Sequence, residues 1–378
     1  MSIKPKIPPS HLDIDTMSGM TEDSAISFTK DPNNKSSNSI TGIFSNPMFV
    51  YIVRRTLVLI PLWFGISIVT FALIRVSGDP RDQVLSGRNT EAIRASLAER
   101  YRLDEPYPVQ FYTWLKNFFT WKFGYSGTFK TTDPSGQMNK IIWETAKLQY
   151  LALILAIAIA IPIGIIAAKN RNTKTDYTVS TVALLGLSMP IYLTGYILIR
   201  IFGGGGLDLL PTGGAGTPFI EKIAAQKFDT GWQIFWYIFK DEVIHLILPL
   251  IALTFFQLAL IARLIRSSML EVLNQDYILA ARANGISERK IIWKLSLRNA
   301  IIPAITFIAI SLGTALAGAP ITETVFNWPG LGLNFVKSLK ARDMAISLGI
   351  TMIITTFILV SNLIADILYV YIDPRIRV

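Results

Sequence analysis

The sequence predicts an all-α membrane protein with six transmembrane helices, and three observations carry that prediction. Half of the 378 residues are hydrophobic (51%) and only 16% are charged, against about 25% charged in soluble domains, and mean hydropathy is +0.43. The apolar residues gather into six runs near the length of about 20 residues that crosses a hydrocarbon core. The excess positive charge, +10, falls in connectors that share one side once those spans are drawn, as cytoplasmic loops do. The absence of cysteine excludes a disulfide scaffold, a thiolate metal site and a cysteine nucleophile. The two histidines, His11 and His245, are too far apart in sequence to form a local ligand pair.

Residues 1–47 are rich in Ser, Pro, Asn, Lys and Asp and show no sustained apolar period. They read as a disordered cytoplasmic tail, without the basic start and adjoining apolar run of a signal peptide. The first span runs over 49–76, with Arg54-Arg55 near its start marking the cytoplasmic end. Pro61 and Gly65 lie inside it, as membrane helices tolerate. Residues 77–147 are mixed in charge and too long for a tight loop. They predict an external insertion with short helices, its Trp114, Trp121, Tyr125 and Trp143 resting at the membrane interface.

Five further spans are predicted at 148–168, 178–202, 243–264, 300–319 and 344–371. The connector 169–174 is short and basic. The next connector on the same side carries Arg263, Arg266, Arg282, Arg289, Lys290, Lys294 and Arg298. With Arg375 and Arg377 at the end of the chain, this gives a self-consistent topology with both termini inside. The charge is thereby used by topology, and nothing resembles a folded basic domain for nucleic acid. The glycine run 203–206 invites a phosphate-loop reading, but the spacing of Gly, four residues, then Gly-Lys-Ser/Thr occurs nowhere. It reads as an external loop, and the chain as one that does not hydrolyse a nucleotide by itself.

The connector 265–298 is the most informative stretch. Ala280, Ala281 and Ala283 are small helix formers, Asn284-Gly285 suits a left-handed helix end, and Ser287 is placed to cap a second, basic helix. Another protein's backbone can approach the first helix closely.

That pattern resembles the coupling loop of ABC-importer permeases, whose Glu-Ala-Ala motif is followed by a glycine and ends at a Leu/Ile-Pro. Here Gly285 and Pro303 hold the expected places, whereas Ala280-Ala281-Arg282 lacks the acidic residue. Further fragments are similar to the dipeptide/oligopeptide (peptide/nickel) permease family. They are Tyr51-Ile52-Val53-Arg54-Arg55 with Ile60-Pro61, Gly78-Asp79-Pro80, and Tyr101-Arg102-Leu103-Asp104-Glu105-Pro106. Later come Leu210-Pro211-Thr212-Gly213-Gly214, Gln275-Asp276-Tyr277, Leu297-Arg298-Asn299-Ala300, Glu323-Thr324-Val325-Phe326 with Pro329-Gly330-Leu331-Gly332, and Asp373-Pro374-Arg375. The resemblance covers about residues 49–378 and is closest to the first of the two permease subunits. The chain departs from it in a longer tail and in an enlarged 203–242 loop, whose Trp232, Phe235, Trp236 and Tyr237 read as a membrane-surface anchor.

The resemblance implies a type I ABC-importer permease fold. It also implies an assembly with a second homologous permease, two ATPase subunits and an extracytoplasmic solute-binding protein. ATP and Mg would be bound on the partners, and this chain would hold no cofactor or metal and no catalytic residue. The ATPase-docking lever would comprise Asp276, Tyr277, Ala280, Ala281, Arg282, Ala283, Asn284, Gly285, Ile286 and Arg289. The expected cargo is short peptides, with oligosaccharides or a nickel or other metal chelate as alternatives on the same machinery. An autonomous channel or secondary transporter would not need a docking surface like 276–290, and a membrane enzyme would need a catalytic set that is absent here.

Polar residues within spans are functional candidates by default. Ser188, Gln257 and Asn362 are candidates for the translocation path, and Asp366 is expected to pair with Arg263 to hold helices together. His245 reads as interfacial, and Asp79, Asp82 and Glu323 as outward-facing and solvated.

Overall fold

The computed structural model describes residues 47–76, 78–79, 81, 90–315 and 317–372. The rest of the expected tail, His11, Asp82 and the terminal Arg375 and Arg377 lie outside the described residues. Pro47, assigned to the tail, instead opens helix α1 (Pro47–Val76). Proline fits the first turn of a helix because its missing N–H has no partner to lose there.

Within the 77–147 stretch two short helices form, α2 (Thr90–Tyr101) and α3 (Tyr107–Phe119). The 3.6-residue period of α3 puts Gln110, Trp114 and Phe118 on one buried face. That face joins a core with Phe71 of α1, Leu97 and Tyr101 of α2, Phe123 and Met138. The aromatics expected at the membrane interface are therefore divided. Trp114 is buried, Trp121 and Tyr125 pack half-buried against the same core, and Trp143 alone of the four is largely exposed. Burial of these rings against one another removes more apolar surface from water than an interfacial position would.

Helix α4 (Ser135–Lys169) begins well before the expected span at 148. After the connector come α5 (Lys174–Ser188) and α6 (Ile191–Phe202), then α7 (Ile220–Lys227) and the 43-residue α8 (Gly231–Leu273). The chain continues through α9 (Asp276–Ala283), α10 (Glu288–Ala300), α11 (Ile302–Ala315), α12 (Pro320–Val325), α13 (Leu331–Lys340) and α14 (Met344–Ile372). Buried Asp343 accepts a bond from the Ile346 N–H (3.2 Å) at the start of α14. It also accepts from Ser126 Oγ (2.6 Å) and the Thr128 N–H (3.0 Å). One carboxylate thus caps a helix start, where its charge is favourable, and ties the 126–128 turn to it.

Among the described residues four helices are long and apolar enough to cross a membrane: Val50–Leu73 within α1, α4, α8, and Met344–Ile367 within α14. Two helix pairs meet the same test together but are bent, α5 with α6 by 104° and α10 with α11 by 53°. The first bend falls at Met189-Pro190. Met189 is extended (φ −78°, ψ 126°), as a residue before proline prefers. At the second, Pro303 stands in the first turn of α11, where it costs no internal hydrogen bond.

Helices α4 and α8 pack along much of their length through small side chains. Ala156, Ala160, Ala168 and Ala262 are buried there beside Ile165, Ile261 and Ile265. A Cβ on Gly164 would stand 2.8 Å from the Ile265 Cβ and 2.9 Å from the Ala262 carbonyl oxygen. Small residues permit this approach where apolar burial from water offers little drive between membrane helices. Because α8 begins at Gly231, the aromatic patch of the 203–242 stretch is on a helix rather than in a loop. Trp232, Phe235 and Trp236 are exposed and edge-on or stacked against one another.

Candidate functional site

The basic segment after α8 is held by a small apolar anchor and otherwise faces outward. Ile278 and Ala281 of α9 and Ile291 of α10 are buried together, with Leu273 and Leu295 against them. Every residue from Arg282 to Lys290 is exposed. The helix α9 ends at Asn284, whose N–H bonds to the Ala280 carbonyl, and Gly285 follows at φ +74°. No neighbour crowds that glycine, so its requirement is conformational: glycine takes this region freely, whereas L-residues do so only occasionally, chiefly Asn and Asp. Ser287 sits at the start of α10 in an extended conformation, but its side chain makes no capping bond.

Two side-chain bonds fix the elbow. Arg282 Nε donates to Glu288 Oε1 (2.7 Å), joining α9 to α10. Asn299 Nδ2 donates to the Tyr277 hydroxyl (2.9 Å), closing the other end of the pair. Residues Ile291–Ser296 wind as a π-helical turn, a rare feature often found at functional sites. Leu279 (54%), Ile286 (39%) and Trp293 (52%) are exposed despite their size, in a stretch of chain that also carries the exposed Arg282, Arg289, Lys290 and Lys294. Large exposed apolar side chains rimmed by charge mark a protein interaction surface. Of these, Leu279, Trp293 and Glu288 were not among the residues singled out from sequence. A large apolar residue recurring at positions 279, 286 and 293 within a basic stretch was the available signal.

The three path candidates lie on separate helices, Ser188 on α5, Gln257 on α8 and Asn362 on α14. No hydrogen bond joins them among the described residues. Ser188 and Asn362 are exposed, while Gln257 keeps a buried Oε1 without a hydrogen-bond partner.

Asp366 does not pair with Arg263. Its Oδ2 accepts from Arg55 Nε at 2.6 Å, and Trp63 Nε1 donates to Thr356 Oγ1 (2.8 Å) farther along the same antiparallel helix pair. This face of α14 is turned to α1, whereas the arginines of α8 are turned to α5. There Arg266 Nη2 donates to buried Asp176 (2.8 Å). Arg263 is exposed and lines a shallow cavity with Ser180 and Leu184.

Glu323 is not solvated but fully buried. It accepts from Thr145 Oγ1 (2.9 Å) and from the Leu333 N–H (3.0 Å), and Thr145 in turn accepts from the Leu331 N–H (2.7 Å). Burial holds its carboxyl above the usual carboxylate range, against the opposing effect of these donors. Beside it the buried Trp328 indole donates to the Glu144 carbonyl (3.0 Å). The Lys147 ammonium lies 5.4 Å from the centre of the Trp328 ring. It is also 2.9 Å from Glu144 Oε2, an ion pair without hydrogen-bond alignment, and 3.7 Å from Glu242. Asp79 is half-buried and holds the Arg81 N–H at 2.8 Å. His245 is buried on α8 with Nδ1 2.8 Å from the Asp241 carbonyl oxygen.

A family model described as "Binding-protein-dependent transport system inner membrane component" matches residues 160–378, which include α8 to α14. The chain is 38% identical over 331 residues to the oligopeptide transport system permease protein AppB of Bacillus subtilis (strain 168), covering 87% of this chain and 100% of that protein. It is 38% identical over 347 residues to the dipeptide transport system permease protein DppB of Alkalihalophilus pseudofirmus, covering 87% and 100%. To the dipeptide transport system permease protein DppB of Escherichia coli (strain K12) it is 36% identical over 347 residues, covering 87% and 99%.

Proposed function

The chain belongs to the family of binding-protein-dependent transport system inner membrane components and is a permease subunit of an ABC importer; on that premise we propose that it carries short peptides and that segment 276–290 is its docking lever for an ATPase. Peptides are favoured as cargo because the relatives at 36–38% identity are dipeptide and oligopeptide permeases by name. The observation that carries the lever is the exposed Leu279–Ile286–Trp293 surface with its basic rim, anchored by only a few buried side chains. An apolar groove with acidic edges on a partner would complement it in shape and charge.

In this reading each bent helix pair counts as one span, which gives six. Residues 77–147 form an insertion on the external side, and both termini lie in the cytoplasm, since Arg54-Arg55 and the basic connectors then share the inner side. A second permease completes the pathway, with Ser188, Gln257 and Asn362 as the polar groups of this chain toward it. Two ATPase subunits bind the nucleotide and Mg, and an external binding protein delivers the solute. Closure of the ATPase pair moves the two levers as rigid bodies, and the spans alternate between inward-facing and outward-facing states. The chain itself supplies positioning and a path, with no bond-making step and no cofactor or metal of its own.

Reconstitution tests this directly. Vesicles holding this chain, its second permease, the ATPase pair and the binding protein should accumulate a labelled di- or oligopeptide only with ATP. Preferential uptake of an oligosaccharide or a nickel chelate would overturn the cargo, and ATP-independent uptake by the lone chain would overturn the mechanism. Cysteine accessibility in cells settles orientation: a cysteine at position 285 should be protected from an impermeant external reagent.

A further inference from the structure

At the end of α1 opposite Arg55, a cavity of about 490 Å³ lies between α1 and α3, within the range of small-molecule sites. Its walls are apolar: Ile68, Phe71 and Ala72 of α1, with Pro108 and Phe111 of α3. One charged side chain enters it. Arg75 has its guanidinium carbon 5.6 Å from the centre of the Tyr107 ring, and its Nε and Nη1 are buried without a hydrogen-bond partner among the described residues. The carboxylates of Asp79 and Asp104 at this end are both engaged by Arg81, at 3.6 and 2.6 Å. Buried charged donors left unpaired are costly, so the site is incomplete without an anion.

Depth identifies that anion. Arg55 and Arg75 lie twenty positions apart on one continuous helix, a rise of about 30 Å, which matches the thickness of the hydrocarbon core. When Arg55 is level with one interface, Arg75 is level with the phosphates of the other, and Ile68 and Phe71 lie among acyl chains. The helix is open to lipid along this side, for Ile68, Val69 and Leu73 are all more than half exposed. An anionic headgroup on an apolar tail meets every feature of the cavity; a free phosphate would leave the apolar walls unused.

We propose that this cavity binds a phospholipid with an anionic headgroup, its phosphate on Arg75 and an acyl chain along Ile68, Phe71 and Phe111. The site is independent of the peptide cargo and of the lever, and it would fix the angle of α1 and α3 in the bilayer.

Native mass spectrometry of the full chain in its transport complex, released from detergent, tests the assignment. The probes are dioleoyl phosphatidylglycerol, dioleoyl phosphatidylcholine and glycerol phosphate. The wild-type complex should retain phosphatidylglycerol over phosphatidylcholine about tenfold, because both carry the phosphate but the choline cation opposes Arg75, and should not retain glycerol phosphate. Arg75→Gln should bring the two lipids to parity, and Ala72→Trp, which fills the cavity and keeps the guanidinium, should lose both. If Arg75→Gln fails to assemble, Ala72→Trp carries the test. Equal retention of both lipids by the wild type, unchanged preference in Arg75→Gln, undiminished retention in Ala72→Trp, or glycerol phosphate held as well as the lipid would each overturn the proposal.

Discussion

The two ends of α8 are built on opposite principles. Beside its first half, Glu323, Thr145 and Trp328 are closed off from solvent, and each has its polar atoms satisfied by the protein itself. Beyond its last turn, residues 282–290 are wholly exposed and the apolar anchor comprises a few side chains. A network such as that of Glu323, Thr145 and Trp328, whose bonds are made within the chain, holds its shape alone. A region that leaves Leu279, Ile286 and Trp293 uncovered takes its energy from a partner. The contrast predicts that substitutions at the first region register as lost stability, and at the second as lost transport with the fold intact.

The largest effect should follow from Arg282→Glu or Gly285→Asp. The first reverses the charge at the elbow and sets two carboxylates, at 282 and 288, against each other. The second forces an L-residue into φ +74°. If the elbow behaves as an interface hot spot worth about 2 kcal/mol or more, ATP-driven uptake falls about thirtyfold or further, with normal amounts of protein in the membrane. Normal uptake in both variants would remove the lever from this segment.

Next in size is Glu323→Ala, which strips the acceptor from the Leu333 N–H and the Thr145 hydroxyl inside the fold. A loss of about 2–3 kcal/mol is expected, read as a lower denaturation midpoint of the purified chain. Glu323→Gln should cost less and should change the pH profile. Because burial raises the folded-state pKa of Glu323, its proton-linked stabilisation is full below the unfolded value of about 4.3 and is lost as pH rises through the folded value. The stability of the wild type relative to Glu323→Gln should therefore decline with rising pH over that window; a flat difference would contradict the raised pKa.

Asp176→Asn comes third. Asp176 is buried and Arg266 partly so, so removing the carboxylate should cost about 1–2 kcal/mol, between the values for exposed and for fully buried pairs, with weaker packing of α5 on α8. Arg55→Gln should do least, below about 1 kcal/mol, since that pair is substantially exposed. A larger loss from Arg55→Gln than from Asp176→Asn would invert the ranking by burial.

What was legible in the sequence was whatever is decided locally. Runs such as 243–264 declare a membrane helix by composition, and Asn284-Gly285 between two helical stretches declares an elbow, because φ is a property of one residue. The family fragments lie at such places. What was not legible depended on partners remote in the chain. Asp366 reads as a partner for Arg263, and only the packing of α14 on α1, across more than three hundred residues, gives it Arg55 instead. Glu323 reads as solvated because a carboxylate is polar on any scale, while its donors come from α4 and the first turn of α13. The early start of α4 and the burial of Trp114 escaped for the same reason: amphipathic stretches next to an apolar run blur the run's edge until the surface they cover is known.

The unbroken course of α8 has one more consequence. With 43 residues in a single helix, the aromatic patch near Trp232 and the entry to the elbow near Leu273 are locked in rotational phase, about 100° for each residue between them. Side chains along it can be exchanged one at a time, yet a single inserted or deleted residue near its middle would swing Trp232, Phe235 and Trp236 by more than a quarter turn relative to Arg266 and the elbow. The length of this helix is therefore constrained more tightly than its composition.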